Sequence, residues 1–427
     1  MEIKNITDCP CGQKHPTVNI KVEIGRGLLP KTTEILKDFP KKILVVADKN
    51  TLAASEGILD VLKAGGFDYG LHCYDNCTEA DIEMVKEMEK IAASYDGVLA
   101  VGTGSIGDIC RLAAFNTKKE FAIFATAPSM DGFASFAAPI TFNNLKETVP
   151  CAVPSIIIGD TDILAKSPNE LKSAGFGDVI AKYVALVEWK IAALLIQEHF
   201  CPTVHGMVND VLKKTMALAD DVTREDPEAA GALMEALVLS GACMTIADST
   251  RPASAAEHII SHYLEMRILQ SGGPMPFHGT KVGVGTVLIT HLYHDIADGK
   301  LGQPDFGEDR VDWDAVYKHF GPAMKGKIDE INSASSISEV SPEVLKKHWP
   351  EVCRLIKEEL PSYEEIVDLM KRANAVIDIS GLGLDRQLGL DALEFHPYVN
   401  KKLTITRMLP MLGLKPDWDV QIDKSLA

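Results

Sequence analysis

The sequence predicts an α/β half followed by an all-α half. An N-terminal doubly wound parallel-sheet nucleotide-binding domain spans residues 1–161, a helical domain spans 162–427, and the active site lies in the cleft between them. Two patterns carry this. Up to about residue 160, short Val/Ile/Leu-rich runs alternate with amphipathic helical stretches, which is what a parallel sheet covered on both faces requires. Beyond Thr161 the β-branched runs fade and helical periodicity alone remains. The length, 427 residues with 46 % hydrophobic and 24 % charged, leaves room for two or three globular domains.

In chain order, KKILVVAD (41–48) reads as the first strand and residues 51–64 as a helix. YGLHCYD is a second strand, and the charged pattern from Glu79 to about Ala93 a second helix. GVLAVGTG (97–104) runs from a strand into a turn that opens a helix near Ile106, and EFAIFATAP (120–128) and PSIIIGD (154–160) complete the sheet. In the second half, helical periodicity covers 170–199, 206–221, 227–248, 252–270, 280–297 and 341–376. Pro168, Pro202, Pro227, Pro252 and the GGPMP segment at 272–276 separate these stretches, and 299–312 reads as a polar surface loop.

Charge narrows the partners. With 43 basic against 60 acidic side chains, the formal charge of −17 repels phosphate backbones and anionic lipid surfaces, so neither nucleic acid nor a membrane is expected as a partner. Every long apolar stretch is interrupted by a charge or a proline, and MEIKNITDCP lacks a basic segment followed by an apolar core. A cytoplasmic location is the expectation. Nine cysteines scattered through a chain this long read as reduced thiols. Cys9, Cys11 and His15 have the look of half a zinc site without a second half, and His72, Cys73 and Cys77 are no more complete.

Four segments carry candidate chemistry. AVGTGSIGDICR (100–111) leaves a strand and opens a helix, so Gly102 and Gly104 allow a phosphate to approach free backbone N–H groups; no Gly-Lys-Ser/Thr follows, so it is not a P-loop. Asp48, closing the first strand, suits either the two hydroxyls of an adenosine ribose or a helix N-cap. FATAPSMDGFASFAAP (124–139) is too apolar for a solvated linker and too rich in hydroxyls for plain core, which suits a loop packed on a flat cofactor or substrate. In the helical half, Asp178, the pair His258 and His262, and His278 come from three segments. His258 and His262 are four apart and share one helical face, and a carboxylate with imidazoles fits a divalent metal site with an open position. His199, His205, His291 and His294 have comparable local spacing, so spacing alone does not select the ligands.

VGTGSIGD, TAPSMDGFAS, AGFGD, RPASAAEHIISH and HGTKVGVGT, in that order, resemble the sn-glycerol-1-phosphate dehydrogenase family, in the superfamily of dehydroquinate synthase and the iron-dependent alcohol dehydrogenases. The similarity covers nearly the whole chain and includes the tail KKLTITRMLPMLG (401–413). By that resemblance Asp48 holds the adenosine ribose, and Gly102, Thr103, Gly104, Ser105 and Ile106 the pyrophosphate. Thr126, Ala127, Pro128 and Ser129 with Ser135 lie on the nicotinamide side of NAD(P). Asp178, His258 and His278 bind one divalent ion (zinc, nickel or iron), while Asp131, Asp178 and His262 meet the substrate as catalytic residues. The implied reaction is the reversible reduction of dihydroxyacetone phosphate to sn-glycerol 1-phosphate, a step of phospholipid synthesis, by a homodimer.

The residues support that chemistry on their own terms. A cation held by one carboxylate and two neutral imidazoles keeps positive charge to polarise a ketone oxygen, and His262, one turn from a ligand, is placed to relay a proton, with bound water as the alternative donor. A carboxylate at 48 disfavours the 2′-phosphate of NADP and so favours NAD. Arg251, Lys182 and Lys281 are the basic residues inside the cleft motifs. The turn reads Gly-Thr-Gly where relatives often carry three glycines, and CPCGQKH with the long second half suits the bacterial-type members. The rival readings are a polyol or glycerol dehydrogenase acting on an unphosphorylated substrate, a dehydroquinate-synthase-like cyclase that recycles its NAD, and a cleft that senses without catalysing.

Overall fold

A computed structural model describes residue 3, residues 5–142 and residues 145–425. In chain order the strands are β1 (Lys21–Gly25), β2 (Lys42–Asp48), β3 (Asp68–Tyr74), β4 (Gly97–Gly102), β5 (Glu120–Ala125), β6 (Ala137–Phe142), β7 (Leu145–Pro150) and β8 (Ile156–Asp160). Six of them form a parallel sheet in the order β1-β8-β5-β4-β2-β3, and β6 with β7 forms a separate antiparallel hairpin.

The sheet forms where the sequence is apolar at every position because both faces are covered. Ile43, Val45, Ala47, Leu99, Val101, Ala122 and Phe124 pack on one side. Leu44, Val46, Val98, Ala100, Ile123 and Ala125 pack on the other, in a cluster that continues into Phe176, Val179, Leu233 and Leu237 of the helical half. The period of two sends alternate residues to opposite layers, so a continuous run satisfies both. Register places Gly102 beside Ala125, and Thr126 N–H donates to the Gly102 carbonyl at 3.2 Å, so the loops leaving β4 and β5 start side by side. That is where ligands collect in an open α/β sheet.

Helices follow from Asn169 onward. The periodic stretch 170–199 resolves into two helices, Asn169–Ile180 and Lys182–Ile196, meeting at Ala181. The stretch 341–376 breaks at Leu360–Ser362, because Pro361 cannot continue a helix and Ser362 caps the next one in a capping box with Glu365. Residues 299–312 are free of helix and strand and are pinned by Asp305 and Gly307 N–H donating to the Leu412 and Met411 carbonyls. β1 and the β6–β7 hairpin go beyond the sequence reading; Pro139 and Pro150 disguise the hairpin's strands. The helix Pro227–Ala247 has the length and apolarity of a membrane span, but 83 % of that stretch is buried, and it packs on the helix Pro202–Met216 and the turn Asp131–Ala134.

Candidate active site

Two helices meet with almost no side chain between them. A Cβ on Gly279 would sit 2.0 Å from the Ala174 carbonyl oxygen, and a Cβ on Gly175 would sit 2.0 Å from that of Pro128. Glycine at these positions therefore lets the helix Asn169–Ile180, the helix His278–Ala297 and the loop after β5 approach backbone to backbone. The consequence is local: Asp178 and His278 face each other across the crossing, and His258, on the helix Ala256–Ser271, closes the group. One donor atom from each of the three lies within 4.8 Å of the others.

Neighbouring carboxylates set the histidines. His258 Nδ1 is 2.8 Å from Glu257 Oε1, which leaves Nε2 turned to Asp178, 3.5 Å from its Oδ1. His278 Nδ1 and His262 Nδ1 both address Glu265, at 3.5 and 3.1 Å. A carboxylate on Nδ1 fixes the ring and presents Nε2 with its lone pair, the arrangement found behind metal-ligating imidazoles.

The charges are strongly perturbed. Burial pulls the Lys182 ammonium down, but Asp131 at 2.8 Å and Asp178 at 2.7 Å push it above the ordinary lysine value. Burial would raise the Asp178 carboxyl, yet Lys182 and the two imidazoles hold it well below the usual carboxylate range. Glu265 is likewise held low by Lys146 and Lys281 against its own burial. Desolvation lowers His262, whereas hydrogen bonds to Asp178 and Glu257 raise His258 against it. Titratable groups perturbed both by burial and by specific charge partners mark a candidate functional site.

The loops on the sheet side join this group. Thr103 and Ser129 share a hydrogen bond of 2.5 Å between hydroxyls, tying the turn Gly102–Ile106 to Thr126–Ser129. Two residues on, Asp131 N–H donates to Asp178 Oδ2 at 2.9 Å, and the Asp131 carboxylate accepts from Ser240 at 2.9 Å. Asp48 is the N-cap of the helix Lys49–Ala54: Oδ1 accepts from Thr51 N–H at 2.8 Å and Oδ2 from Cys77 N–H at 3.2 Å. Ser135 is occupied locally, its hydroxyl accepting from Ala137 N–H at 3.2 Å and its carbonyl from Arg111.

Three basic residues expected in the cleft are committed to structure. Arg251 forms a bidentate pair with Glu198 at 2.7 and 2.8 Å and donates to the Leu403 carbonyl; Lys182 bridges the two aspartates; Lys281 is buried against Glu265 and the Pro276 carbonyl. The alternative histidines lie elsewhere, with His291 on Gln421, His294 on the Pro361 carbonyl, and His199 and His205 beside Trp189 and Phe200. Sequence reasoning missed Glu257, Glu265 and Ser240, which orient the site from behind, and Lys146, which pairs with Glu265 at its edge. Glu257 precedes His258 and Glu265 follows His262 by three residues on the same helix, whereas nothing local marks Ser240 or Lys146.

Comparison with known proteins bears on the family and the fold. A family described as iron-containing alcohol dehydrogenase matches residues 23–168. A glycerol-1-phosphate dehydrogenase [NAD(P)+] of Halalkalibacterium halodurans is 34 % identical over 73 % of this chain and 80 % of its own length. One from Geobacillus stearothermophilus is 30 % identical over 89 % of each chain. Among solved structures, an NADH-dependent butanol dehydrogenase A from Thermotoga maritima superposes with a TM-score of 0.61 at 16 % identity, covering 97 % of this chain and 98 % of that one. That last likeness concerns the fold.

Proposed function

The chain belongs to the glycerol-1-phosphate dehydrogenase family, and from that premise we propose that the site built around Asp178 is where it reduces dihydroxyacetone phosphate to sn-glycerol 1-phosphate with NAD(P)H. The observation that carries the assignment is the continuous path from Thr103 through Ser129 and Asp131 to Asp178, which links the phosphate-cradle turn to the carboxylate–imidazole group.

Asp178, His258 and His278 would hold the divalent ion, a hard-to-borderline donor set that suits zinc, nickel or iron. When bound, the ion polarises the ketone oxygen and the dinucleotide supplies hydride. The chain's own residues do the rest. Lys182 pairs with both aspartates, which fixes the distance between them, and it holds the Asp178 carboxyl ionised. The ionised Glu265 can only accept, so Nδ1 of His262 carries a proton and Nε2 is the atom at which His262 takes up and passes the substrate's proton. Gly102 to Ile106 offer free N–H groups at the start of the helix Gly104–Thr117 to the pyrophosphate; Thr126 to Ser129 and Ser135 flank the nicotinamide side, and Asp48 the ribose. Lys146, on β7 and 3.4 Å from Glu265, retains some exposure (17 %) and is assigned to the substrate phosphate. The division at residue 161, a homodimeric assembly and a preference for NAD belong to the same reading.

Steady-state assay of NADH oxidation tests it. Dihydroxyacetone phosphate should drive net oxidation, chelation should abolish it, and His262→Ala should cut turnover while leaving NADH affinity near normal. Lys146→Ala should raise KM for dihydroxyacetone phosphate far more than KM for dihydroxyacetone, and any loss of turnover transmitted through Glu265 should be common to both ketones. Equal turnover of the unphosphorylated ketone would move the assignment to a polyol dehydrogenase, and substrate conversion without net oxidation would move it to a cyclase.

A further inference from the structure

Far along the chain from the active site, the N-terminal arm supplies half of a second donor cluster. Residues 5–20 contain neither helix nor strand, yet His15 is buried, and Cys9 and Cys11 are partly buried against the core that contains Cys201. Cys9 Sγ lies 3.4 Å from Cys201 Sγ, Cys11 Sγ lies 3.3 Å from His15 Nε2, and Cys201 Sγ lies 3.5 Å from the same nitrogen. The four donor atoms all fall within 4.8 Å of one another, and the three cysteines are free thiols.

We propose that Cys9, Cys11, His15 and Cys201 form a closed structural zinc site, separate from the active site and independent of its assignment. The dimensions fit. Tetrahedral zinc with bonds of about 2.3 Å to sulfur and about 2.0 Å to nitrogen has S···S edges of about 3.8 Å and S···N edges of about 3.5 Å. Three of the six donor–donor edges are seen at 3.3 to 3.5 Å, close to these values, and the other three lie within 4.8 Å.

The surroundings are those of a ligand shell. His15 Nδ1 is 2.8 Å from the Ile246 carbonyl, which can only accept, so Nδ1 carries the ring's proton and Nε2 turns its lone pair to the sulfurs. Cys201 caps the helix Pro202–Met216 and its sulfur accepts from Val204 N–H at 3.4 Å, while the Thr203 hydroxyl lies 3.4 Å from Cys9 Sγ. Both contacts suit thiolates. Gly12, at φ +78°, closes the turn that brings Cys9 and Cys11 to one side, its N–H donating to the Cys9 carbonyl at 3.1 Å.

Four protein donors leave no open position, so the site binds metal for structure. Its role follows from what it joins: an arm without regular structure, the first residue before one helix, and the last turn of the helix Pro227–Ala247, whose Ser240 holds Asp131. Coupling metal binding to folding is how such a segment is fixed.

The test uses the full chain expressed with zinc, as wild type, His278→Ala and Cys11→Ser. His278→Ala weakens the other site and leaves this donor set whole. It should retain one zinc per chain, and zinc X-ray absorption should fit three sulfurs and one nitrogen. Cys11→Ser alters a partly exposed ligand and should weaken zinc, in chelator competition, by more than the ~10- to 100-fold that loss of an outer-sphere partner costs. Hydrogen exchange of residues 9–15 should speed up in step with zinc removal. Zinc bound through nitrogen and oxygen alone, a zinc-free His278→Ala protein, or a Cys9–Cys201 disulfide in the native protein would overturn the proposal.

Discussion

Gly279→Ala probes the feature on which the active site depends, the backbone contact between the helices Asn169–Ile180 and His278–Ala297. The new methyl would stand 2.0 Å from the Ala174 carbonyl oxygen and 3.2 Å from Asp178 Cβ. Carbon and carbonyl oxygen settle at about 3.3 Å even in a favourable C–H···O contact, so the helices must separate by roughly 1.3 Å. No flexible side chain stands there to give way. Overpacking of this kind costs about 1–3 kcal/mol of stability. The larger effect falls on catalysis, because the displaced residues carry Asp178 and His278, and a misplacement of about 1 Å costs on the order of a hundredfold. The assay is kcat/KM for dihydroxyacetone phosphate together with urea unfolding, and Gly206→Ala is the control. Gly206 lies within the helix Pro202–Met216 and a methyl added there would meet nothing within 4 Å, so alanine should stabilise by about 0.5–1 kcal/mol and leave kcat/KM unchanged. If Gly279→Ala kept kcat/KM within about twofold of wild type at undiminished stability, the contact would not be what aligns the site.

Two further outcomes follow from buried groups. Asp48→Asn keeps an oxygen to accept from Thr51 N–H but removes the charge, so the ratio of kcat/KM for NADH to that for NADPH should fall roughly tenfold, the worth of about one to two unit repulsions in water; an unchanged ratio would place the ribose away from residue 48. His396 is fully buried between the Ala392 carbonyl and Thr406, and desolvation lowers its pKa from 6.5 to about 4. Its folded-state pKa lies below the unfolded one, so the unfolded chain binds the proton first and stability falls as pH drops from 6.5 towards 4. Between about pH 7.5 and about pH 5 the loss from this residue is about 2 kcal/mol, and the unfolding free energy of His396→Gln should be correspondingly less sensitive to pH over that interval.

The sheet was legible because burial on both faces leaves an unmistakable mark, continuous apolar runs such as ILVVA and VLAVG. The helical half was legible in type but less so in its joints: Ala181 interrupts a stretch with no proline or glycine at the break, since tertiary packing sets that boundary. Asp178, His258 and His278 could be proposed as a group only because three separate motifs each offered a donor, and periodicity related no more than His258 to His262. Their convergence depends on Gly175 and Gly279, whose purpose is visible only when the opposing carbonyls are in place. Asp48 shows the converse, since the modest reading as a helix cap is the contact it makes within the chain. Cys201 lies 186 residues from His15, and no local spacing rule joins residues so far apart.

Two donor clusters of different chemistry in one chain change how its metal content is to be interpreted. Three thiols with one imidazole select zinc by softness and closed tetrahedral geometry, whereas one carboxylate with two imidazoles accepts zinc, nickel or iron with little preference. Zinc found in the purified protein therefore reports first on Cys9, Cys11, His15 and Cys201, and its presence says nothing by itself of an ion at Asp178, His258 and His278. The catalytic metal is identified by difference: it is the element that His278→Ala loses and Cys11→Ser keeps, and restoring that element to chelated wild-type protein should return activity. Because the thiolate site couples to the helix that carries Ser240 and Thr245, and these hold Asp131 and the Ala134 carbonyl, loss of its zinc should lower activity through the turn Asp131–Ala134, as a rise in KM for the ketone larger than any change in affinity for NADH.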